Sequence, residues 1–291
     1  MKTSLKVLTH MNSNRLVSIV IPAYNESKVI EILLLSIRNQ SYTYIETIVV
    51  DDNSRDDTVT ISKKYTPKVY KREHAERSIQ RNFGARKAKG KYLLFLDADM
   101  ELTKDVVKGC VHLAQKNSKI GGVVIPEESI ARTYWEKVKA HERSFYNESG
   151  DKTTDAARFF RKSVFEKVGG YDETITGPED WDLPETVKKS GYEIGRIKSK
   201  IYHYERVKGP FKLAQKKYYY ALKSHRYFQK QNIPLISPKT IYFLRPVFYR
   251  NWRKLVAHPL LSIGMFLMFT FELAGGALGF VIGKYLSSKS N

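Results

Sequence analysis

Tyr92-Leu93-Leu94-Phe95-Leu96 is an unbroken run of apolar and aromatic residues that stops abruptly at Asp97-Ala98-Asp99. A strand with one wet face alternates in polarity, so an uninterrupted run predicts a strand covered on both sides, as in a parallel sheet flanked by helices. Sheets of that kind bind ligands just beyond the carboxyl ends of their strands. Two carboxylates one residue apart at that position are hard oxygen ligands suited to Mg²⁺ or Mn²⁺. A solvated acidic turn is the plainer reading of the same triplet.

The surrounding pattern supports such a sheet. From Leu16 to about Arg161, strand-like and helix-like segments alternate, which predicts βα units. Val17–Ile21 reads as a strand closed by Pro22, and Ser27 as the cap of a helix reaching about Arg38. Ile45–Val50 is a second strand, ending in Asp51-Asp52. A short helix from Asp57 to Tyr65, a strand at Val69-Tyr70, and a helix capped by Ser78 and stopped by Gly90 follow. Thr103 to about Gln115 reads as a helix, and Gly122–Ile125 as a strand closed by Pro126. Beyond Arg161, Glu179-Asp180-Trp181-Asp182 opens a helix to Ser190, and Ile194–Ile197 and Ile201–Tyr204 read as short strands.

The chain has 291 residues, room for one large or two small domains. Its one cysteine, Cys110, excludes a disulfide framework and a multi-cysteine zinc site, and fits a reducing compartment. Residues 1–15 lack a continuous apolar core and do not read as a secretory signal.

Charge is unevenly spread. The formal net charge is +20, and Arg196 to Lys254 holds 16 Lys and Arg against one acid, Glu205, or +15, leaving +5 elsewhere. The same stretch carries 13 aromatic residues. Interleaved cations and aromatics suit nucleic acid and equally an anionic membrane surface. The next segment favours the membrane and sets nucleic acid aside. Leu260–Ile282 is a 23-residue span whose one charge is Glu272; at ~1.5 Å per residue it can cross a hydrocarbon core. A glutamate near its middle costs roughly 2–3 kcal/mol on insertion scales, which leaves an interfacial helix open. Gly275, Gly279 and Gly283 form a small-residue face on which another helix could pack.

Three predicted strands end in polar clusters: Pro22-Ala23-Tyr24-Asn25-Glu26, Asp51-Asp52-Asn53-Ser54 and Asp97-Ala98-Asp99. In a parallel sheet these ends share one edge. The Tyr24 ring can stack on a base, carboxylates and amides can read its edge and a ribose, and Arg77 and Arg81 can offset phosphate charge. Capping and turn duties are the alternative for each residue taken alone.

These segments carry a resemblance. Val17 to Glu26 resembles the opening strand of family 2 glycosyltransferases, and Asp51 to Thr58 is similar to that family's second nucleotide-contact loop. Arg81-Asn82-x-Gly84, Ala88-x-Gly90-x-Tyr92 and Phe95 to Asp99 match its approach to the Asp-x-Asp motif. Gly169-Gly170-Tyr171-Asp172-Glu173 and Glu179 to Leu183 resemble its acceptor loop and Glu-Asp motif. Five ordered motifs thus cover about residues 16–205.

The resemblance implies a GT-A fold, with a Rossmann-like, mainly parallel sheet flanked by helices, and metal-dependent, inverting transfer from a UDP- or GDP-sugar. Pro22, Ala23, Tyr24, Asn25, Glu26, Asp51, Asp52, Arg77, Arg81, Asp97 and Ala98 would hold the donor. Asp99, with Asp97, would bind Mg²⁺ or Mn²⁺. Asp180, beside Glu179, would be the general base, with Gly170, Tyr171 and Trp181 on the acceptor side. His203 has a place comparable to a late metal-ligating histidine of GT-A enzymes; a packed histidine is the alternative. The expected order is an extension at 1–15, the GT-A domain at 16–205, a basic, aromatic interfacial helical region at 206–258, a membrane helix at 259–285 and a tail at 286–291. The catalytic domain would be cytoplasmic. A base favours a hydroxyl acceptor on a lipid-linked or other glycan; a polyprenyl phosphate acceptor, which needs none, and a non-catalytic nucleotide-sugar-binding membrane protein are the other readings.

Overall fold

The computed structural model describes residues 15–147, 150–151 and 155–289. Of the expected extension at 1–15 all but Arg15 lies outside the described residues, as do the last two residues of the tail. The chain forms two compact units. Among the described residues, the first takes those up to Pro126 with Ala156–Asp172 and Leu183–Tyr202; the second takes those of 127–155, Glu173–Asp182 and those from His203 onward.

The first unit is built on strands β1 (Val17–Ala23), β2 (Ile45–Asp51), β3 (Val69–Lys71), β4 (Tyr92–Phe95), β6 (Ile120–Val124), β8 (Ala157–Arg161) and β9 (Glu193–Arg196). The short β5 (Met100–Leu102) also belongs to it; β7 (Glu127–Ile130) belongs to the second unit, and β10 (Ile201–Tyr204) carries the chain from the first to the second. The seven strands lie in the order β3-β2-β1-β4-β8-β6-β9. β1 pairs in parallel with β2 and β4, β2 with β3, and β6 with β9, whereas β8 runs antiparallel to β4 and β6. The sheet is mainly parallel, as expected, with one reversed strand.

Both faces of the central strands are covered. Ile19 and Ile21 of β1, with Tyr92 and Leu94 of β4, join one apolar cluster, while Val20, Leu93 and Phe95 join another. Alternate residues of one strand thus enter opposite cores, the physical meaning of an unbroken apolar run. Helices α1 (Ile30–Arg38), α2 (Thr58–Lys63), α3 (Arg77–Lys87), α4 (Val106–Lys116) and α6 (Lys162–Lys167) belong to this unit, as do Leu183–Lys189 of a later helix. Pro22 does not close β1. By its register β4 has ended, since Val20 pairs Phe95, and Pro22 pairs only Val50 of β2. A missing N–H is tolerated where no second strand requires it. Helix α1 starts at Ile30 and not at Ser27, whose N–H donates to Asp56 Oδ2 at 3.1 Å.

The second unit contains α5 (Tyr134–Ser144), α8 (Pro210–Lys230), a 3₁₀ turn at Tyr242–Leu244, α9 (Pro246–Arg250), α10 (Trp252–Ala257) and α11 (Pro259–Lys289). Helix α7 (Glu179–Lys189) begins in it. Val138, Phe145, Phe248, Met265, Met268 and Phe269 form its core. The expected glycine face of α11 is occupied by this chain's own α8. A Cβ on Gly275, Gly279 or Gly283 would lie 2.3, 2.2 and 2.0 Å from the carbonyl oxygens of Ala214, Tyr218 and Leu222. Only glycine admits a backbone that close, and because both sets of residues advance together the helices run parallel.

Glu272 is buried, and Lys139 Nζ lies 3.5 Å from it and 2.5 Å from Glu142. Burial opposes the charge on Lys139, yet Glu142 and Glu272 outweigh it and hold its pKa above the ordinary lysine value. The charge inside an otherwise apolar helix is therefore answered from within the protein.

Candidate active site

The loops after β1 and β2 are stitched together by backbone and short polar side chains. Asp52 N–H donates to Ala23 O at 2.8 Å, Asn25 N–H to Ser54 Oγ at 2.9 Å, and Arg55 N–H to Asn25 Oδ1 at 2.9 Å. Asn25 is in the left-handed region at φ 54°, which asparagine tolerates better than most residues. Asp51 is fully buried; its Oδ2 accepts from Ser54 N–H at 3.1 Å, and Oδ1 has no hydrogen-bond partner among the described residues. Asp52 Oδ1 accepts from Ala75 N–H at 2.8 Å and Gln80 Nε2 at 2.5 Å, while Oδ2 lies 2.6 Å from His74 Nδ1. The His74 and Tyr24 rings are 5.4 Å apart, and Tyr24 is half exposed. An exposed aromatic beside fixed carboxylates is suited to a flat, hydrogen-bonding ligand.

At the end of β4, Asp97 is clamped. Arg81 Nη2 donates to Oδ1 at 2.8 Å and Arg158 Nη1 to Oδ2 at 3.3 Å. Arg81 is wholly buried and Arg158 nearly so. The Arg81 guanidinium also lies 5.2 Å from the Tyr171 ring. Asn82, next on α3, donates through Nδ2 to Tyr171 O at 2.8 Å and accepts from Tyr171 N–H at 3.0 Å. The Gly170-Tyr171 loop is thereby pinned to the helix that holds Asp97. Gly170 sits at φ +73°, and a Cβ there would lie 2.8 Å from Asn82 Oδ1.

Among the described residues, no three His, Cys, Asp or Glu side chains gather as a metal cage. Asp97 and Asp99 are both partly exposed, and with both Asp97 oxygens engaged by arginines, Asp99 is the other hard-oxygen residue of this triplet. Mg²⁺ is commonly held by one or two carboxylates together with substrate phosphates and water, so this donor set fits a cation that binds with a diphosphate.

In the second unit, Glu179 is buried and Asp180 and Trp181 are partly exposed in the first turn of α7. A carboxylate there is favoured by the helix dipole. Asp182 is held by Lys230 Nζ at 2.7 Å and Gln231 Nε2 at 2.6 Å. On β10, His203 Nδ1 lies 2.8 Å from Arg143 Nη1 and 3.1 Å from Glu127 Oε2. If Nδ1 donates to Glu127, Nε2 is left with the lone pair a metal needs; if it accepts from Arg143, Nε2 carries the proton. Burial opposes charge on Arg143, but Glu205 and Glu127 outweigh it and raise its pKa.

The strand-end clusters anticipated at Pro22–Glu26, Asp51–Ser54 and Asp97–Asp99 thus lie on adjacent parallel strands β2, β1 and β4. Arg77 and Arg81 stand one turn apart on α3, Arg81 turned inward to Asp97. His74, Gln80 and Arg158 escaped the sequence reading. Arg158 had a signal, a cation one residue inside the strand Ala157–Arg161 beside two buried phenylalanines. His74 had none, lying in a run of charged residues that reads as a solvated loop.

The fold is that of GT-A transferases. Staphylococcus aureus TarS 1-349 in complex with UDP-GlcNAc superposes with a TM-score of 0.54 over 94% of this chain and 92% of that one, at 16% identity. The mannosyltransferase PcManGT from Pyrobaculum calidifontis, in complex with GDP-Man and Mn²⁺, gives 0.53 over 94% and 79%, at 20% identity. The model of the glycosyl transferase family 2 matches residues 18–169, just over half of the chain, and the chain belongs to that family. It is a glycosyltransferase. The poly(ribitol-phosphate) beta-N-acetylglucosaminyltransferase TarS of S. aureus (strain MW2) is 26% identical over 77% of this chain and 38% of its own length. The chondroitin synthase of Escherichia coli is 30% identical over 58% and 26%. The chain spans less than half the length of each of these two relatives.

Proposed function

We propose that this chain transfers a sugar, with inversion, from a UDP- or GDP-sugar to a hydroxyl of a lipid-linked or other glycan, beside a membrane. The carrying observation is the single sheet edge at which β2, β1 and β4 present Asp51-Asp52, Tyr24 and the clamped Asp97. Tyr24 and His74 would flank the base, with Pro22, Ala23, Asn25 and Glu26 shaping the loop. The buried Asp51 Oδ1 supports a ligand that donates a hydrogen bond, since an unsatisfied buried acceptor costs free energy. Asp97, oriented by Arg81 and Arg158, would accept from donor sugar hydroxyls with Ala98 alongside, and Arg77 would meet diphosphate charge. UDP-GlcNAc and GDP-Man in the structural neighbours, and glycan-building relatives, support the donor and acceptor classes.

Asp99 would hold a divalent cation, with Asp97 and His203 as further candidate ligands. A cation bound there would stabilise charge on the departing diphosphate. Asp180 would take the proton from the acceptor hydroxyl as its oxygen bonds to the anomeric carbon; the bond from that carbon to the β-phosphate oxygen breaks, and its electron pair leaves with the nucleoside diphosphate. Glu179 would support that turn, and Gly170, Tyr171 and Trp181 would border the acceptor. Helix α11 would hold the enzyme at the membrane, with the catalytic unit on the cytoplasmic side.

The test is release of nucleoside diphosphate from a panel of nucleotide sugars with Mn²⁺ or chelator, in membranes containing acceptor. Asp99→Ala should abolish metal-dependent release, and Asp180→Asn should lower transfer by roughly 10²–10⁴-fold while donor binding survives. Near-wild-type transfer by Asp180→Asn, with Asp99→Ala inactive, would overturn the base and favour a phosphate acceptor.

A further inference from the structure

Helix α11 has two unlike faces. One is spent inside the second unit: Gly275, Gly279 and Gly283 lie on the backbone of α8, Met265 and Phe269 join the core, and Glu272 meets Lys139. The other is open and apolar. Leu260, Ile263, Leu267, Phe271, Leu278 and Val281 recur at intervals that place them along one side of a helix, and their exposure runs from 36% at Phe271 to 73% at Leu260. Contiguous exposed apolar surface of this kind marks an interaction site.

Crossing a bilayer in this packing would take α8 along, because α8 runs beside Gly275–Gly283 in parallel. Helix α8 carries Lys212, Lys216, Lys217, Lys223, Arg226 and Lys230, and cations at hydrocarbon depth oppose insertion. A helix that keeps this partner and still needs its outer face covered has a solution in the interface. We infer that α11 lies in the plane of an anionic bilayer, its outer face sunk into the boundary between headgroups and acyl chains, rather than spanning it. The occupant follows from charge: the segment Arg196–Lys254 is +15, and Arg250, Trp252 and Arg253, immediately before α11, are exposed. Cations meet acidic headgroups there, and an indole ring sits at their level. The inference rests on the membrane attachment proposed above and specifies its mode.

The full chain is synthesised cell-free in the presence of vesicles of phosphatidylcholine alone or with phosphatidylglycerol, carrying Gln229→Cys or Ser288→Cys. Both positions are exposed, and the native Cys110 is buried with its thiol pKa pushed up by that burial, so it does not compete for reagent. In the plane, both cysteines react with an impermeant maleimide added outside. Protection of Ser288→Cys until detergent is added would mean that α11 spans, overturning the inference while leaving attachment intact. Phosphatidylglycerol vesicles should retain the wild-type protein, and Leu267→Glu/Phe271→Glu should weaken that binding about tenfold or more while donor hydrolysis is kept. If the double variant binds vesicles like the wild type but turns a dimer into a monomer on size exclusion, the face joins two copies and the inference fails. If the wild type binds neither vesicle, attachment itself fails, whatever the hydrolysis assay reads.

Discussion

Arg81 Nη2 donates to Asp97 Oδ1 at 2.8 Å, and no part of the Arg81 side chain reaches solvent. A guanidinium in that position is a fixed part of the fold that aims a carboxylate, with Arg158 as its second hold. Arg81→Met should destabilise the protein by roughly 2–3 kcal/mol, below the usual figure for a broken buried pair because Asp97 is part exposed and keeps Arg158. Chemical denaturation measures this, and a loss under about 0.5 kcal/mol would show the pair to be unimportant to folding.

His74 faces both Asp52 and the Tyr24 ring. An aromatic pair of this kind contributes about 0.5–1.5 kcal/mol to what it holds. His74→Ala is therefore expected to raise KM for the nucleotide sugar by roughly 3–10-fold with little change in kcat. Steady-state kinetics decides it; a fall in kcat at constant KM would place His74 in the chemical step instead.

The buried group Lys139–Glu142–Glu272 is asymmetric, with one cation between two carboxylates. Lys139→Met removes the cation nearest both acids and should cost about 3 kcal/mol, whereas Glu272→Gln leaves the closer Lys139–Glu142 pair intact and should cost about 1 kcal/mol. Thermal melts of the two variants should rank in that order.

Gly279 and Gly276 test the helix pairing against each other. A Cβ on Gly279 would lie 2.2 Å from Tyr218 O, while one on Gly276 meets nothing within 4 Å. Gly279→Ala should destabilise by about 1–3 kcal/mol through overpacking. Gly276→Ala should be neutral or stabilise by up to about 1 kcal/mol from helix propensity. Equal melting points for the two would contradict the close approach.

His141 is buried against His258 and Ser262, and burial, reinforced by His258 and Lys254, depresses its pKa to about 4. Its ordinary value is near 6.5. Between those values the unfolded chain binds the proton more readily, so stability from a neutral His141 is complete above about pH 6.5 and drains away toward pH 4. His141→Phe, which cannot titrate, should show a shallower fall in melting temperature from pH 7 to pH 4.5 than the wild type. Parallel curves would assign the acid sensitivity to other groups.

The doubly covered sheet, the order of its strands' chemistry and the long apolar C-terminal helix were legible along the chain, because burial leaves its mark at every position. Tyr92–Phe95 announces two wet-free faces by never alternating, and Leu260–Ile282 announces a long apolar helix by its unbroken length. Partners were not legible. Asp97 draws on Arg158, 61 positions away, and Gly279 on Tyr218, also 61 away, and neither pairing leaves a local trace. The same holds for Glu272, an anomaly in an apolar span until Lys139 is found beside it. A residue's hydrophobicity states whether it avoids water; which group it meets instead depends on the topology that brings remote segments together, and only the folded chain settles that.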